Sequence, residues 1–578
     1  MEKRNSYLIS KAFKSFLLAS LLTVAATQVG ATVDGMMLSY LIGEQAMSSV
    51  NICRPIMQLL FSLCMLFGAG SSMLVGVAIG NRNREEANRI FTSIMTLVVI
   101  IGILFLIIGL VWLNPLVNIL CSDIGLRSVT SEFLGITLYG AIFYMLSTVL
   151  EMFVTVDGNP KRVTLAVLVS SITNLFLDYI FIAIFGWGVS GAALATVISY
   201  IVPIGILIPH FIRANTLRIN FNKCFSLLPK SVMAGLPFGI ATMLIAVQMW
   251  GNNNIAMIYM GQSGIIALSV CLYLLGLSMI ILTGTLKAFQ PVASILKGAG
   301  DGQGVLMVIR KAYNFMFVCL VVFVLPMILC PQWVAKVFGI SDAKILSVTT
   351  TAIPAFSINI VFQCVVYLLV PIYQLYSNKA MATFVSIGQS LAPMFGMWFF
   401  AVFAPKYVWW GFALGQVIIA LFVITFSIIK QSHNKQLTPL VLVPHEDISK
   451  GFETSILPNI DALSKLLIDI DNFLKAHIHD TSLIMHIEVS SEELIKNIIT
   501  HGYTEQYKKR YIDYRLSILS DSVCVVISDD ARAFNPVEYD KETGLGLLLV
   551  KGLCKDIKYD YLFHQNITKI TYPLSTDI

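Results

Sequence analysis

The chain has 578 residues, of which 57% are hydrophobic and only 12% are charged, with a mean hydropathy of +0.79. This balance excludes a soluble globular protein and fits a chain that crosses a bilayer many times. Through Lys435 there are 25 Lys and Arg against 12 Asp and Glu, and beyond it 14 against 21, so a basic apolar part precedes an acidic polar one.

Twelve apolar runs of span length can be drawn, at roughly 14–42, 48–79, 91–113, 129–156, 162–185, 188–212, 230–260, 264–289, 312–331, 348–376, 380–404 and 408–430. The N-terminal MEKRNSYLISKAFK is basic but lacks a cleavage site, so the first run is expected to be a retained span. Lys and Arg concentrate in alternate loops, at Arg82/Arg84/Arg89, Lys161/Arg162, Arg213/Arg218/Lys223/Lys230, Lys297/Arg310/Lys311 and Lys379. The positive-inside rule then places both termini and the acidic tail in the cytoplasm of a multi-pass protein of the cell (inner) membrane. Because the basic excess sits in these loops, it implies no nucleic-acid partner. The ten cysteines form no CxxC pair and read as ordinary buried thiols.

An internal repeat organises the spans. GNRNREEANRI at Gly80 corresponds to GAGDGQGVLMVIRKA at Gly298, GNPKRVT at Gly158 to SNKAMAT at Ser377, and GVSGAALA to WWGFALG, at about 219 residues' offset. Six spans followed by six in the same orientation is the parallel-repeat plan of secondary transporters, with a central site between lobes. The expected fold class is therefore an all-α membrane protein of 12 transmembrane helices in two six-helix lobes, residues 1–215 and 216–430. A linker at 431–452 and a small α/β sandwich at 453–578 follow.

Intramembrane carboxylates lie only in the first lobe: Asp34, Asp178 and, near the end of its span, Glu151. A carboxylate inside the bilayer is costly unless paired, which marks it as a candidate ion or substrate site. Asn174 and Asp178 are four residues apart and share one helical face. With Asp34 they can hold a proton or a hard cation such as Na⁺. Gly188, Gly191, Ala192, Ala193 and Ala195 allow close helix packing beside them.

In the tail, two segments with helical spacing are followed by an alternating hairpin, a Gly-led helix and a last hairpin placed around Gln565-Asn566. Glu493 and Asn497 share a helical face and can offer a carboxylate base and one oxygen to Mg²⁺. Asp529-Asp530 ends a strand, where a carboxylate can accept the amino group of an adenine. Gly544 and Gly546 open a helix whose free N–H groups and dipole suit phosphate.

TQVGATVDGMMLSYLIGEQAMSSV, GAGSSMLVGVAIGNRNREEANRIF, VDGNPKRV, NLFLDYIF, GWGVSGAALAT and Gln290-Pro291 together resemble the recurrent segments of multidrug and toxic compound extrusion (MATE) transporters, over about residues 10–430. The resemblance to the prokaryotic DinF-like type implies an N-lobe cation site of Asp34, Asn174, Asp178 and Thr196. Where other branches place acids in the second lobe, this chain has Asn252, Asn253, Asn254 and Gln363. In the tail, SSEELIKNIITHGY, DDARAFNP and GLGLLLVKGL resemble the GHKL ATP-binding fold, closest to the serine kinases that act as anti-sigma factors. That resemblance implies Glu493 as base, Asn497 as Mg²⁺ ligand, Asp529 as adenine reader, Gly544 and Gly546 at the phosphates, and an anti-sigma-antagonist-like protein partner. Ala531 stands where that family has Gly.

The resulting expectation is an antiporter that exports drug-like organic cations against Na⁺ or H⁺ entry. Its cytoplasmic ATP-binding domain is regulatory, because the chain has no GxxxxGK[ST] phosphate loop. Two rival readings are a lipid-linked-sugar flippase, disfavoured by scarce intramembrane Lys and Arg, and a membrane-anchored serine kinase or switch protein.

Overall fold

The computed structural model describes residues 4–574 apart from 43, 121–123, 213–216, 223, 341, 377, 439, 445–450, 504–509, 520 and 538–544. The chain folds into two compact units, Ser15–Pro444 and Met1–Lys14 with His445–Ile578. The first fourteen residues thus belong with the C-terminal unit, a partnership of which hydropathy gives no hint.

The first unit is helical throughout. Among the described residues, ten helices are long and apolar enough to cross a membrane, and a bent pair adds one more. In chain order these are α1 (Tyr7–Leu41), α2 (44–80), α3 (Arg84–Val111), α4 (126–156, bent by 49° after Tyr139), α5 (Pro160–Ile184) and α6 (Gly188–His210). The next helix, Leu228–Gly298, is broken at Gly261, whose φ of 63° and ψ of −152° are open only to glycine. Dividing it there yields α7 (228–260) and α8 (262–298). The rest are α9 (Gly302–Leu329), α10 (Ala343–Leu375), α11 (Lys379–Phe403) and α12 (Trp410–His433).

The repeat recurs in local geometry. Asn83 caps α3 by accepting from the Glu86 amide at 3.1 Å, and Asp301 caps α9 by accepting from the Gly304 amide at 2.7 Å. Each cap satisfies an otherwise orphaned helix N–H and contributes about 1 kcal/mol. Just before each, Arg82 and Gly300 have left-handed φ of 60° and 65°. The two lobes meet along α2, α7 and α8 through small residues: a Cβ on Gly76 would lie 2.8 Å from Ser294 Cβ, and Gln290 donates to the Ala69 carbonyl at 2.6 Å. The segment after α6 is held to the first lobe by buried Asp157, which pairs with Arg84 at 3.0 Å and His210 at 2.9 Å and accepts from the Leu217 amide at 3.0 Å.

The expected linker is partly folded. Leu437 bridges Pro444, the Thr438 amide donates to the Val443 carbonyl, and Tyr373 donates to the Leu440 carbonyl at 2.8 Å. Val441, Leu442 and Val443 are buried, and this apolar triplet inside a polar stretch is what draws the segment back onto the lobe.

The second unit has a five-stranded antiparallel sheet in the order β1-β2-β3-β5-β4. Its elements are β1 (Gly451–Ile456), α13 (Ile460–Lys475), α14 (Thr481–Asn497), β2 (Ile512–Ile518), β3 (Ser522–Asp529), α15 (Leu545–Leu553), β4 (Asp556–Leu562) and β5 (Gln565–Pro573). Helices and sheet share one core that includes Leu466, Ile470, Ile487, Tyr514, Val525 and Ile570. Two details differ from the sequence reading. GFETSI, which straddles the expected linker boundary at residue 452 and belongs to no expected element, is the edge strand β1; six residues are too few for alternation to declare it. The last hairpin turns at Phe563-His564, both with φ 59°, so Gln565 and Asn566 begin β5 rather than form the turn.

Candidate functional site

In the helical unit, α1 supplies Asp34 and α5 supplies Asn174 and Asp178. Asp178 is fully buried, and a π-helical stretch, Tyr179–Ile184, begins immediately after it. Such irregular turns recur at functional positions because they re-aim side chains. The carboxyls of Asp34 and Asp178 are close enough to interact electrostatically, so α1 and α5 bring together two acids far apart in sequence. Among the described residues no hydrogen-bond donor reaches either Asp178 oxygen or Asp34 Oδ1, and Asn174 Nδ2 also lacks a partner. Buried polar atoms without partners cost about 1–3 kcal/mol each, so this cluster is incomplete as it stands. A hard cation, which takes oxygen ligands, or a proton would complete it.

Thr196 on α6 places its hydroxyl on the Ala192 carbonyl at 2.9 Å, leaving its lone pairs as the available function. The α5–α6 pair is held by Ser170, which donates to the Ser199 carbonyl at 2.6 Å. Two neighbours escaped the sequence reading. Tyr200 lies within electrostatic range of Asp34 and pairs with the Tyr144 ring at 5.0 Å. Lys287, a cation inside α8, lies within electrostatic range of Glu151. An isolated Lys in an apolar run was the available signal for the second.

In the sheet unit, Glu493 and Asn497 meet on α14 as their spacing predicts, Asn497 Nδ2 donating to Glu493 Oε1 at 3.1 Å. That bond fixes the amide's orientation and leaves its oxygen for a cation. Gly546, in the first turn of α15, faces the same carboxylate: a Cβ there would lie 2.7 Å from Glu493 Cγ. A methyl there could be admitted only by swinging the Glu493 carboxylate aside. Gly544 lies outside the described residues.

Asp529 is buried at the end of β3. Its Oδ1 accepts from Asn566 Nδ2 at 2.8 Å and from the Ala531 amide at 2.9 Å. Burial pushes its carboxyl up to about 6, against the pull of those two donors. Asn566 also receives the Tyr559 hydroxyl at 2.7 Å and the Phe534 amide at 3.2 Å, which makes it the post around which the Asp529 loop folds. The Ala531 methyl is accommodated opposite Gly502, where a Cβ would lie 2.8 Å from it, so the missing loop glycine is matched by one across the gap.

Residues 19–180 match the MatE family model, and residues 458–572 match the model of the histidine kinase-like ATPase domain. The chain carries a MATE family domain followed by a histidine kinase-like ATPase domain. It is 25% identical over 226 residues to the probable multidrug resistance protein YoeA of Bacillus subtilis, covering 38% of this chain and 49% of that protein. It is 24% identical over 257 residues to the multidrug export protein MepA of Staphylococcus haemolyticus, covering 44% and 57%. The match thus spans about half the length of these relatives. Among solved structures, a MOP superfamily transporter from Pyrococcus furiosus has a TM-score of 0.68 at 20% identity, covering 75% of this chain and all of that one. An outward-facing MATE family multidrug resistance transporter has a TM-score of 0.67 at 21% identity, covering 75% and 99%. The helical unit therefore has the MATE transporter fold, and the protein is an integral membrane protein. The sheet and helices of the second unit are consistent with a GHKL-like domain.

Proposed function

We propose that the protein is a secondary efflux antiporter that exports organic cations against entry of Na⁺ or H⁺. The observation that carries this reading is the pairing of Asp34 with fully buried Asp178, whose two oxygens, like Asp34 Oδ1, meet no donor among the described residues. Two neighbouring carboxylates in a low-dielectric site hold one positive charge far better than none. A coupling ion and a cationic substrate then compete for the same lobe, and exchange of one for the other is antiport. The names of the relatives agree with drug export. The basic loops favour cytoplasmic termini.

The ATPase-like domain is read as a regulatory ATP-binding module with both termini on its side of the membrane. Its residues fit Mg·ATP: Asp529 as acceptor for the adenine amino group, Asn497 offering an amide oxygen to Mg²⁺, and the first turn of α15 at Gly546 supplying backbone N–H groups for phosphate. Bound Mg²⁺ would neutralise phosphate charge. Glu493 is held by Asn497 where it can orient or deprotonate a hydroxyl or water. ATP is not the driving force in this reading, since one such domain and no phosphate-loop motif are present in the chain.

The test is ethidium efflux from proteoliposomes under an imposed Na⁺ or H⁺ gradient. Efflux that follows one gradient and is lost in both Asp34→Asn and Asp178→Asn supports the reading. A wild type that moves nothing under either gradient overturns it.

A further inference from the structure

The start of α1 makes a set of contacts for which transport has no use. The first fourteen residues belong to the compact unit of the ATPase-like domain. Arg4 pairs with Asp513 at 3.1 Å and with Glu453 at 3.5 Å, and the Asn5 amide donates to Ser455 Oγ at 2.8 Å. At the start of α1 the Tyr7 hydroxyl donates to Asp530 Oδ2 at 3.1 Å, and one turn on Lys11 Nζ pairs with the same oxygen at 2.5 Å. Gln565 Nε2 donates to the Leu8 carbonyl at 2.8 Å, and Leu8, Ile9, Ala12 and Phe13 are buried. The Asp530 side chain is 1% exposed, and with the Tyr503 hydroxyl on its Oδ1 at 3.4 Å these donors satisfy both of its oxygens.

The residues that grip this helix are the chain neighbours of the adenine site. Asp529 and Asn566 face each other across β3 and β5 and are bonded to one another. The next residue on β3's side, Asp530, and the preceding one on β5, Gln565, both hold α1. Successive residues at the end of a strand point to opposite faces, so one short stretch of backbone serves the nucleotide on one side and the helix on the other. A shift of Asp529 or Asn566 on nucleotide binding moves the groups that hold Tyr7, Leu8 and Lys11. Two ligands sharing one set of backbone positions are linked, and the linkage is reciprocal.

We infer that residues 4–14 are a resident ligand of the ATPase-like domain, docked on Asp530 and Gln565, and that nucleotide binding at Asp529 and docking of this segment control one another. The inference rests on the nucleotide reading of Asp529.

The full chain in lipid nanodiscs is tested by two readouts: fluorescence titration with mant-ATP and Mg²⁺, and hydrogen exchange of peptides covering 4–20 with and without saturating Mg·AMP-PNP. In the wild type, nucleotide is expected to change exchange of this segment at least threefold, with no change in Asp529→Asn. Tyr7→Phe and Lys11→Met are expected to speed its exchange in the absence of nucleotide and to shift mant-ATP affinity at least threefold. Nucleotide binding with unaltered exchange of 4–20, or unaltered affinity in both variants, overturns the inference and leaves the nucleotide reading intact. No mant-ATP binding to the wild type overturns the nucleotide reading, and the linkage with it.

Discussion

Gly80 and Gly298, equivalent positions of the two repeats, lie against each other: a Cβ built on either would sit 2.9 Å from the other's Cα. The lobes of this transporter fold thus touch backbone to backbone at the ends of α2 and α8, beside the caps Asn83 and Asp301. Small residues permit such approach inside a bilayer, where dispersion and close packing replace the hydrophobic drive.

Gly80→Val and Gly298→Val should each be severely destabilising, because the atoms in the way are backbone and have nowhere to move. Forced overpacking typically costs about 1–3 kcal/mol, and a loss near 3 kcal/mol is expected where the obstructing atoms are backbone. Fluorescence-detected size exclusion and thermal melts would register it as a collapsed monodisperse peak. Val at exposed Gly205, where a Cβ would meet nothing within 4 Å, is the control.

Neutralising either acid of the pair should reduce gradient-driven efflux at least tenfold, about 1.4 kcal/mol or more of coupling. Asp34→Asn and Asp178→Asn are expected to be equally damaging, and the double variant little worse than either, since the two act as one site. Glu493→Ala should retain most of the efflux. Equal loss in Glu493→Ala would mean that the ATPase-like domain takes part in every transport cycle.

Asp529 gives a pH dependence with a definite sign. Its carboxyl is raised to about 6 in the folded chain, so lowering the pH through 6 protonates it and removes the acceptor proposed for adenine. Affinity for mant-ATP should weaken up to about tenfold per pH unit below 6, and Asp529→Asn should bind weakly without that dependence. For stability the sign is opposite. A raised folded pKa favours the folded state most below the ordinary carboxylate value of about 4. That contribution, on the order of 3 kcal/mol, is lost as pH rises through 6. Melting of the nucleotide-free protein between pH 4.5 and 7.5 would show it as a slope absent from Asp529→Asn.

Gly546→Ala should abolish nucleotide binding without touching transport. The added methyl collides with Glu493, so either the acid leaves Asn497 or the first turn of α15 retreats. A drop of tenfold or more in mant-ATP affinity with unchanged ethidium efflux is the expected pattern.

Asp157→Ala should destabilise the helical unit by about 3 kcal/mol, the usual outcome when one member of a buried charge cluster is removed. Arg84 and His210 would lose their shared carboxylate, and the Leu217 amide its acceptor. Limited proteolysis between residues 211 and 227 would report the release of that segment.

Hydropathy, charge placement and periodicity are local properties of the chain, and they determined the approximate number and the order of the spans, the repeat, the in-membrane acids and the motif helices. The Glu493–Asn497 pair was legible for the same reason: four residues apart on a helix are neighbours wherever the helix goes. The meeting of Asp34 with Asp178 was legible only through the family resemblance; tertiary structure alone decided that Asn566 props Asp529 and that Gly502 makes room for Ala531. It also decided that the first residues of α1 grip Asp530, more than five hundred positions away. Each of these depends on packing between elements distant in the chain, and no spacing along a sequence records which distant faces will close on one another. The short edge strand β1 belongs with them, because only its pairing with β2 makes six residues a strand.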